Sequence, residues 1–230
     1  MPSHAAKVAA SLARPAVDLR YLLPPIRSQG TRPLCVPFAV TTTNEAARSL
    51  FGVGTPADVL AVEPVWQHCV NSGAGGHQGT SIGAAGQGLA NRGQPFEADW
   101  PYNHTLGVKT EPDPPWTATV DWHGADMLNV PLVHDGVEDL IETALALGLP
   151  VVLLVEQTDQ FDFPDAEGEI DVPPINSPVR DYHAVAAVGA ATSADGYTRR
   201  LLVRNSWGPG WGAGGYGLSL IHISEPTRPY

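Results

Sequence analysis

The clearest pattern along the chain is the change from polar to apolar positions at Cys35. The segment before it, R-S-Q-G-T-R-P-L, is a loop pattern marked by glycine and proline. From Cys35 onward, C-V-P-F-A-V-T-T-T-N-E-A-A-R-S-L has small apolar residues at helical spacing and predicts a helix to about Leu50, ended by Gly52. Pro37 fits the first turn, because its missing N–H would have no partner there. The pattern therefore places Cys35 at a helix N-terminus.

Further elements follow from the same periodicities. V-V-L-L-V-E, directly after Pro150, has the branched apolar run of a buried strand. H-A-V-A-A-V-G and T-R-R-L-L-V-R-N-S-W-G are two more strand patterns, and the turn S-A-D-G between them predicts a hairpin. Other helices are predicted over residues 59–70, from a cap at Thr80 or Ser81 to Gly93, and over residues 137–147.

The helical and strand patterns lie on either side of a segment from Pro95 to about Trp116. This segment is dense in proline and aromatic residues and has no periodicity, so we expect a long crossover between two lobes. The prediction is a helical lobe over residues 17–115 and a β-rich lobe over residues 116–218. Residues 1–16 are expected to form a loose N-terminal arm.

The last residues of the chain break the preceding pattern. The string S-L-I-H-I-S-E-P-T-R-P-Y, residues 219–230, loses the glycine-rich character of the residues before it and resembles the read-through of a sequencing adapter. Our hypothesis is that this tail is not native, so it is kept out of fold reasoning.

Composition and charge narrow the classes of function. The chain has 230 residues, a net charge of −11 and an isoelectric point near 5.0, and it lacks the clustered Lys and Arg of a nucleic-acid binder. The 24 glycines and 22 prolines suit a loop-rich mixed α and β fold. The longest apolar run, residues 144–155, is too short to cross a bilayer, and the N-terminus is a poor signal peptide. We therefore expect a soluble, cytoplasmic, monomeric protein with no nucleic-acid or membrane partner.

The two cysteines, Cys35 and Cys69, do not make a disulfide framework. Cys69, His68 and His77 lack the fourth partner and paired spacing of a metal site, so we interpret them as structural. The acidic loop over residues 159–171 lacks the alternating spacing of a calcium loop. No metal or other cofactor is expected.

Cys35 has two possible interpretations. A free cysteine most often behaves as a small buried apolar residue. At a helix N-terminus, however, the macrodipole and the unpaired amides favour the thiolate, which makes Cys35 a candidate nucleophile. Gln29 lies six residues upstream, where a loop could place its side-chain amide beside the Cys35 N–H. Two such converging donors have the outline of an oxyanion hole.

His183 and Asn205 provide the other groups that a thiol nucleophile needs. His183 opens one strand of the predicted hairpin and Asn205 closes the other, so pairing puts both at one end of a sheet. An imidazole can take the proton of the thiol near neutral pH, and an amide oxygen can orient the ring. A thiolate–imidazolium pair would depress the thiol pKa. Trp207 could cover the His183–Asn205 bond against water.

Together these residues resemble the papain-like cysteine peptidases. The Gln29-to-Cys35 spacing, Y-H-A-V-A-A-V-G and R-N-S-W-G-P-G-W-G-A-G-G-Y-G match the signature segments of that family in order, with G-T-S-I-G-A-A and W-P-Y between them. The resemblance covers residues 17 to about 218. It implies Cys35 as nucleophile, His183 as general base and acid, Asn205 as orienting residue, and Gln29 with the Cys35 amide as oxyanion hole.

The resemblance also implies substrate-binding residues. Gly79, with Gln78 and Gly76, would lie where the substrate backbone pairs with the cleft wall, a close approach that a side chain would obstruct. Trp207 is assigned to the same cleft. The implied fold is papain-like and α+β, with a helical lobe, a β-barrel-like lobe and the active-site cleft between them.

The sequence departs from the family pattern at two places. The residue after the nucleophile is usually aromatic, but here it is Val36, so one wall of the leaving-group side is altered. Cys69 is near a position where many relatives carry a disulfide, but the usual partner position is occupied by Arg32. We therefore interpret Cys69 as a free core thiol.

The sequence thus predicts a cysteine peptidase that hydrolyses peptide bonds of a peptide or protein substrate through a thioester acyl-enzyme. Two alternatives stay open. One is a catalytically silent, peptidase-like module that binds peptides in the cleft. The other is an acyl or peptidyl transferase that passes the same thioester to an amine.

Overall fold

The computed structural model describes residues 4–112, 120–130, 136–193 and 196–220. The helices are α1 His4–Leu12, α2 Cys35–Leu50, α3 Glu63–Asn71, α4 Ile82–Asn91, α5 Val137–Ala146 and α6 Asp159–Asp162, with a 3-10 turn at Arg20–Leu22. The strands are β1 Val17–Asp18, β2 Val151–Gln157, β3 Glu169–Ile170, β4 Asp181–Thr192, β5 Arg199–Arg204 and β6 Tyr216–Leu220. None of the helices in this part of the chain has the length and apolarity that a membrane crossing requires.

The helix over Cys35–Leu50 begins and ends where the pattern predicts, and α4 is capped by Ser81, whose side chain accepts a hydrogen bond from the N–H of Ala84. The helix predicted from residue 59 begins only at Glu63. The reason is that the preceding backbone makes other bonds: the N–H of Leu60 donates to the Glu45 carboxylate, and Ala61 donates to the carbonyl of Pro95.

The strands form one sheet in the order β1-β4-β5-β6-β3, and β2 also pairs with β4. All the pairings are antiparallel except that between β3 and β6. The expectation of a barrel-like lobe is wrong for the described residues, because β1 and β2 share one edge of β4 and do not meet β3 at the far edge. Gly189 permits the close pairing with β1, since a Cβ there would lie 2.5 Å from the carbonyl oxygen of Val17.

Two hydrophobic cores lie on either side of α2. The first half of α2 packs with α3 and α4 in a helical core. The end of the same helix, at Ala46 and Leu50, packs against the sheet and α5 in the second core. Successive residues of β4 point to opposite faces, so Ala184 joins the helical core while Val185 joins the sheet core. This arrangement brings the N-terminal end of α2 to the first part of β4, as the two-lobed α+β prediction requires.

The N-terminal segment differs from the expected loose arm. Its alanine-rich residues form α1, in keeping with the high helix propensity of alanine. Its end is bound to the sheet, because the hydroxyl of Thr192 donates to the carbonyl of Leu12 over 2.8 Å. Residues 17–23 also pack on the sheet, through β1 and the sheet core, and the boundaries of the two lobes stay a prediction.

The last described strand extends past the point where the non-native tail was predicted to start. Ser219 pairs with Leu201, and Leu220 pairs with Arg200. Residues 221–230 lie outside the described residues, as does Trp116 at the end of the predicted crossover. The non-native origin of the tail stays a prediction.

Candidate active site

Cys35 is the first residue of α2, half-buried and free. No side chain caps this helix N-terminus, and Pro37 lies in its first turn. Burial raises the pKa of the Cys35 thiol, and the nearby backbone N–H groups of Ala184, Val36 and Cys35 itself oppose this rise. The contact with Ala184 sets the thiol beside β4, one residue after His183. The predicted nucleophile thus lies near the residue that follows the predicted base in β4.

The net direction of the Cys35 pKa differs from the expected one. Burial raises the pKa of the thiol, and the three N–H groups only partly oppose this effect. The negative charge of Asp181 raises it further. The amides at the helix N-terminus thus act in the expected direction, but desolvation outweighs them, so the environment favours the neutral thiol.

His183 and Asn205 are joined by a hydrogen bond of 2.7 Å between Nε2 and Oδ1. The same Oδ1 accepts the backbone N–H of Ser206, also over 2.7 Å, and is therefore an acceptor in both contacts. We accordingly assign the Nε2 proton to the neutral imidazole of His183. The other ring nitrogen, Nδ1, is then the basic one.

Aromatic side chains surround the buried His183 ring. Trp207 packs against it with 4.5 Å between ring centroids, and Phe161 lies at 5.7 Å. Phe161 is held in turn by Trp211, whose indole N–H donates to its carbonyl over 3.1 Å. Trp207 thus lies against the His183 ring, and its role as a cover of the His183–Asn205 bond stays a prediction. Phe161 was missed, because nothing in the acidic loop that contains it marks an aromatic residue as part of a site.

The pKa of His183 falls from its ordinary value of 6.5 to about 4. Burial is the main cause, and the hydrogen bond to Asn205 and the charge of Asp181 oppose it. His183 is therefore a neutral base at pH 7. Together with a neutral thiol at Cys35, this makes the resting pair uncharged instead of the expected thiolate–imidazolium pair.

Gln29 is held from both ends of its side-chain amide. Its Oε1 accepts the Ser206 hydroxyl at 2.6 Å, and its Nε2 donates to the carbonyl of Arg32 at 2.8 Å. The backbone N–H of Gln29 also donates to the carbonyl of Ser206. An amide nitrogen carries two N–H groups, so one remains after the bond to Arg32. Ser206 was missed as a partner because it lies 177 residues along the chain from Gln29.

Gly76, Gln78 and Gly79 form a turn beside the start of α2. Gly76 and Gly79 exchange two backbone hydrogen bonds of 3.0 Å, and Gln78 between them is exposed. Gly79 has a φ of +82°, and a Cβ there would lie 3.4 Å from the carbonyl oxygen of Pro33, two residues before Cys35. A side chain at Gly79 would therefore be strained, and the assignment of these three residues to substrate binding stays a prediction.

The family model described as "Papain family cysteine protease" matches residues 15–224. The chain belongs to the papain family of cysteine proteases. Among curated proteins it is 28% identical to the thiol protease aleurain of Arabidopsis thaliana over 200 residues, which are 85% of this chain and 52% of aleurain. It is 32% identical to silicatein of Petrosia ficiformis over 94 residues, 40% of this chain and 26% of silicatein. The chain thus spans about half the length of aleurain and less of silicatein.

Two solved protease structures share the fold. The cysteine protease CMS1MS2 of Carica candamarcensis aligns with a TM-score of 0.67 at 23% identity, over 92% of this chain and 91% of that one. The bromelain protease of Ananas comosus aligns with a TM-score of 0.70 at 20% identity, over 93% and 92% of the two chains. These likenesses support the predicted papain-like α+β fold.

The positions at which this papain-family chain departs from the family pattern have clear structural roles. Val36 is buried in the helical core, only 3% exposed. Cys69 is free and buried in the same core, as predicted. Arg32, at the position that would pair with it in other members, is fully buried against Glu63.

The depressed pKa of His183 predicts an acid-sensitive stability. A group whose pKa is lower in the folded state contributes stability at high pH that is lost as the pH falls. For His183 the loss runs between its ordinary value of 6.5 and about 4. It amounts to about 3 kcal/mol of the free energy of unfolding. Urea unfolding at pH 7 and pH 4 should show this loss in the parent protein.

His183→Gln provides the control, since it removes the titrating ring and keeps a polar side chain. Its free energy of unfolding should fall by less than that of the parent over the same pH range. Equal pH dependence in the two proteins would contradict the depressed His183 pKa. The comparison also cancels the contributions of other groups, such as Glu45 and Glu97, whose pKa values burial raises.

Proposed function

We propose that this papain-family chain is a cysteine peptidase that hydrolyses peptide bonds with Cys35, His183 and Asn205. The observation that carries the proposal is the 2.7 Å bond between His183 Nε2 and Asn205 Oδ1. Because the Ser206 N–H also donates to this oxygen, Nδ1 of His183 is left as the proton acceptor. The Cys35 thiol lies at the N–H of Ala184, the next residue along β4. This placement supports a thiol within reach of the His183 base.

The reaction starts from the uncharged pair. Cys35 Sγ attacks the carbonyl carbon of the peptide while its proton passes to Nδ1 of His183. The carbonyl oxygen becomes an oxyanion, which the Cys35 N–H and the remaining Nε2 proton of Gln29 stabilise. Proton loss from the thiol at the moment of attack avoids a buried ion pair in the resting enzyme.

The second half of the cycle returns the proton. As the C–N bond breaks, His183 donates the proton from Nδ1 to the leaving amine, and the acyl group remains on Cys35 as a thioester. A water molecule then gives a proton to Nδ1 and attacks the thioester, and the carboxylic acid leaves as Cys35 recovers its proton. Asn205 keeps the ring in place throughout.

The substrate side chain nearest to the thiol is proposed to be apolar. Leu154 is paired directly with Ala184 in the sheet, so the two share the face toward the helical lobe. The Leu154 side chain is 58% exposed, which is a large apolar surface on the strand beside Ala184. An apolar substrate side chain would bury it and gain affinity.

The test is incubation of the protein with a mixture of unmodified peptides, followed by mass spectrometry of the products. We expect cleavage that Cys35→Ser abolishes and that E-64 blocks, since both similar structures are complexes with E-64. Peptide binding without cleavage would favour the silent module. Products lengthened by an added amine would favour acyl transfer.

Replacing Gln29 by alanine should lower kcat by about 10²–10³-fold, the usual cost of losing one oxyanion donor, with little change in KM. The reason is that the amide acts on the oxyanion and not on the ground-state substrate. Steady-state kinetics on one peptide would measure this. Ser206→Ala is the matched control: it removes only the bond to Oε1 and should cost less. A Gln29→Ala enzyme with the parent kcat would contradict the oxyanion assignment.

A further inference from the structure

Arg32 is a fully buried cation of the helical lobe. Its side chain is 0% exposed, and all five of its N–H donors have acceptors. Both terminal nitrogens bind the carboxylate of Glu63, which is also 0% exposed. The remaining donors reach the carbonyls of Gly107, Asn103 and Lys109, each over 2.9 Å. The guanidinium is thus fixed in one orientation by two segments of the helical lobe.

The backbone carbonyl of Arg32 connects this fixed side chain to the proposed oxyanion hole. Its carbonyl accepts the Gln29 Nε2 proton over 2.8 Å. Gln29 and Arg32 are the two ends of one turn, residues 29–32. Tyr102 binds this turn at Gln29, because its hydroxyl donates to the carbonyl of Gln29 over 2.8 Å. The Arg32 guanidinium lies over the Tyr102 ring, 4.8 Å from its centroid. Burial raises the pKa of Tyr102 to about 12, so the hydroxyl keeps its proton and remains a donor.

We propose that Arg32 is a positioning residue that orients the Gln29 amide toward the reacting carbonyl. The proposal rests on the proposed function, because the direction of this amide matters only if an oxyanion forms. Glu63 and the three carbonyls fix the Arg32 side chain, the Arg32 carbonyl fixes one Nε2 proton of Gln29, and the second proton is left to bind the oxyanion. A displacement of this turn by a fraction of an ångström would weaken that bond.

Arg32→Lys tests the proposal. A lysine keeps the charge but has three donors on one nitrogen, so it cannot replace the five-donor fork. We expect kcat for a peptide to fall between about tenfold and a hundredfold, with KM nearly unchanged. The rate at which iodoacetamide alkylates Cys35 should not change, because alkylation forms no oxyanion. In a Gln29→Ala background, Arg32→Lys should have little further effect on kcat.

Two further variants keep the test decisive. Tyr102→Phe removes a single hydroxyl from the same turn and leaves the buried ion pair in place, so it should fold even if Arg32→Lys does not. Its smaller loss of kcat should also vanish in the Gln29→Ala background. The matched control is Arg199→Lys, which alters a buried arginine in the sheet lobe that pairs with Glu142. This control should lose stability and retain the parent kcat.

The outcomes distinguish the proposed peptidase function from the proposed positioning role of Arg32. A parent protein that cleaves no peptide overturns the proposed function, and the positioning role falls with it. If the parent cleaves peptides, but Arg32→Lys or Tyr102→Phe lowers kcat as much in the Gln29→Ala background as in the parent, the positioning role alone is overturned. The positioning role is also overturned if alkylation of Cys35 slows in proportion to kcat, or if both variants keep the parent kcat.

Discussion

Replacement of His183 by alanine is expected to lower kcat/KM for peptide cleavage by about 10⁴-fold or more. The neutral imidazole is the base that receives the Cys35 proton, and burial keeps it neutral down to pH about 4. The environment also raises the thiol pKa, so Cys35 has little thiolate of its own at pH 7. Without the base, the thiol cannot attack efficiently, and the leaving amine receives no proton.

Steady-state kinetics on one peptide at pH 7 would measure this loss. Cys35→Ala should be equally inactive, and the double variant should be no worse than either single variant, because the two residues act as one unit. His68→Gln, in the helical lobe, is the control histidine and should retain the parent rate. Losses that multiply in the double variant would contradict a shared catalytic step.

Replacement of Arg199 by methionine is expected to lower the free energy of unfolding by about 3–5 kcal/mol. Arg199 and Glu142 are 1% and 5% exposed, and Arg199 donates two hydrogen bonds to one carboxylate oxygen at 2.6 and 3.1 Å. It also donates to the carbonyls of Arg14 and Pro15, which binds the N-terminal segment to the sheet. Among the described residues, the variant leaves the buried carboxylate of Glu142 with Arg14 alone, at 3.3 Å, as its cation.

Urea unfolding followed by circular dichroism would measure this effect. The double variant Arg199→Met with Glu142→Leu removes both charges and should recover much of the lost stability. Arg20→Met is the exposed control, since Arg20 and Asp18 are 51% and 49% exposed. That change should cost less than about 1 kcal/mol. Equal losses at the buried and exposed pairs would contradict the account of the Arg199 site.

The sequence was most informative where local chemistry decides the structure. Pro37 and Gly52 mark the two ends of α2, and the spacing of apolar residues between them is helical, so this helix is predicted with its bounds. Pairing between residues far apart in the chain could not be predicted in this way. The contact of β1 with Gly189, and the open edge of the sheet, depend on residues far apart in the chain and leave no local pattern.

The residues of the candidate site could also be predicted only where the local sequence indicates their chemistry. Cys35, His183 and Asn205 each have a residue type and a local setting that suggest chemistry. Ser206 and Phe161 have roles only because folding brings them to Gln29 and His183. The pKa of Cys35 was predicted in the wrong direction, because the helix dipole can be inferred from sequence whereas the burial of the thiol cannot.

The most direct test of the central claim is the pH dependence of iodoacetamide alkylation at Cys35, in the parent and in His183→Ala. Mass spectrometry separates Cys35 from Cys69, which is 0% exposed and serves as the unreactive internal control. We expect the parent to react well below the ordinary thiol pKa of about 8.5, with the rate falling as His183 gains a proton near pH 4. His183→Ala should react only at more alkaline pH. Identical pH profiles in the two proteins would mean that Cys35 and His183 do not share a proton, and would contradict the proposed mechanism.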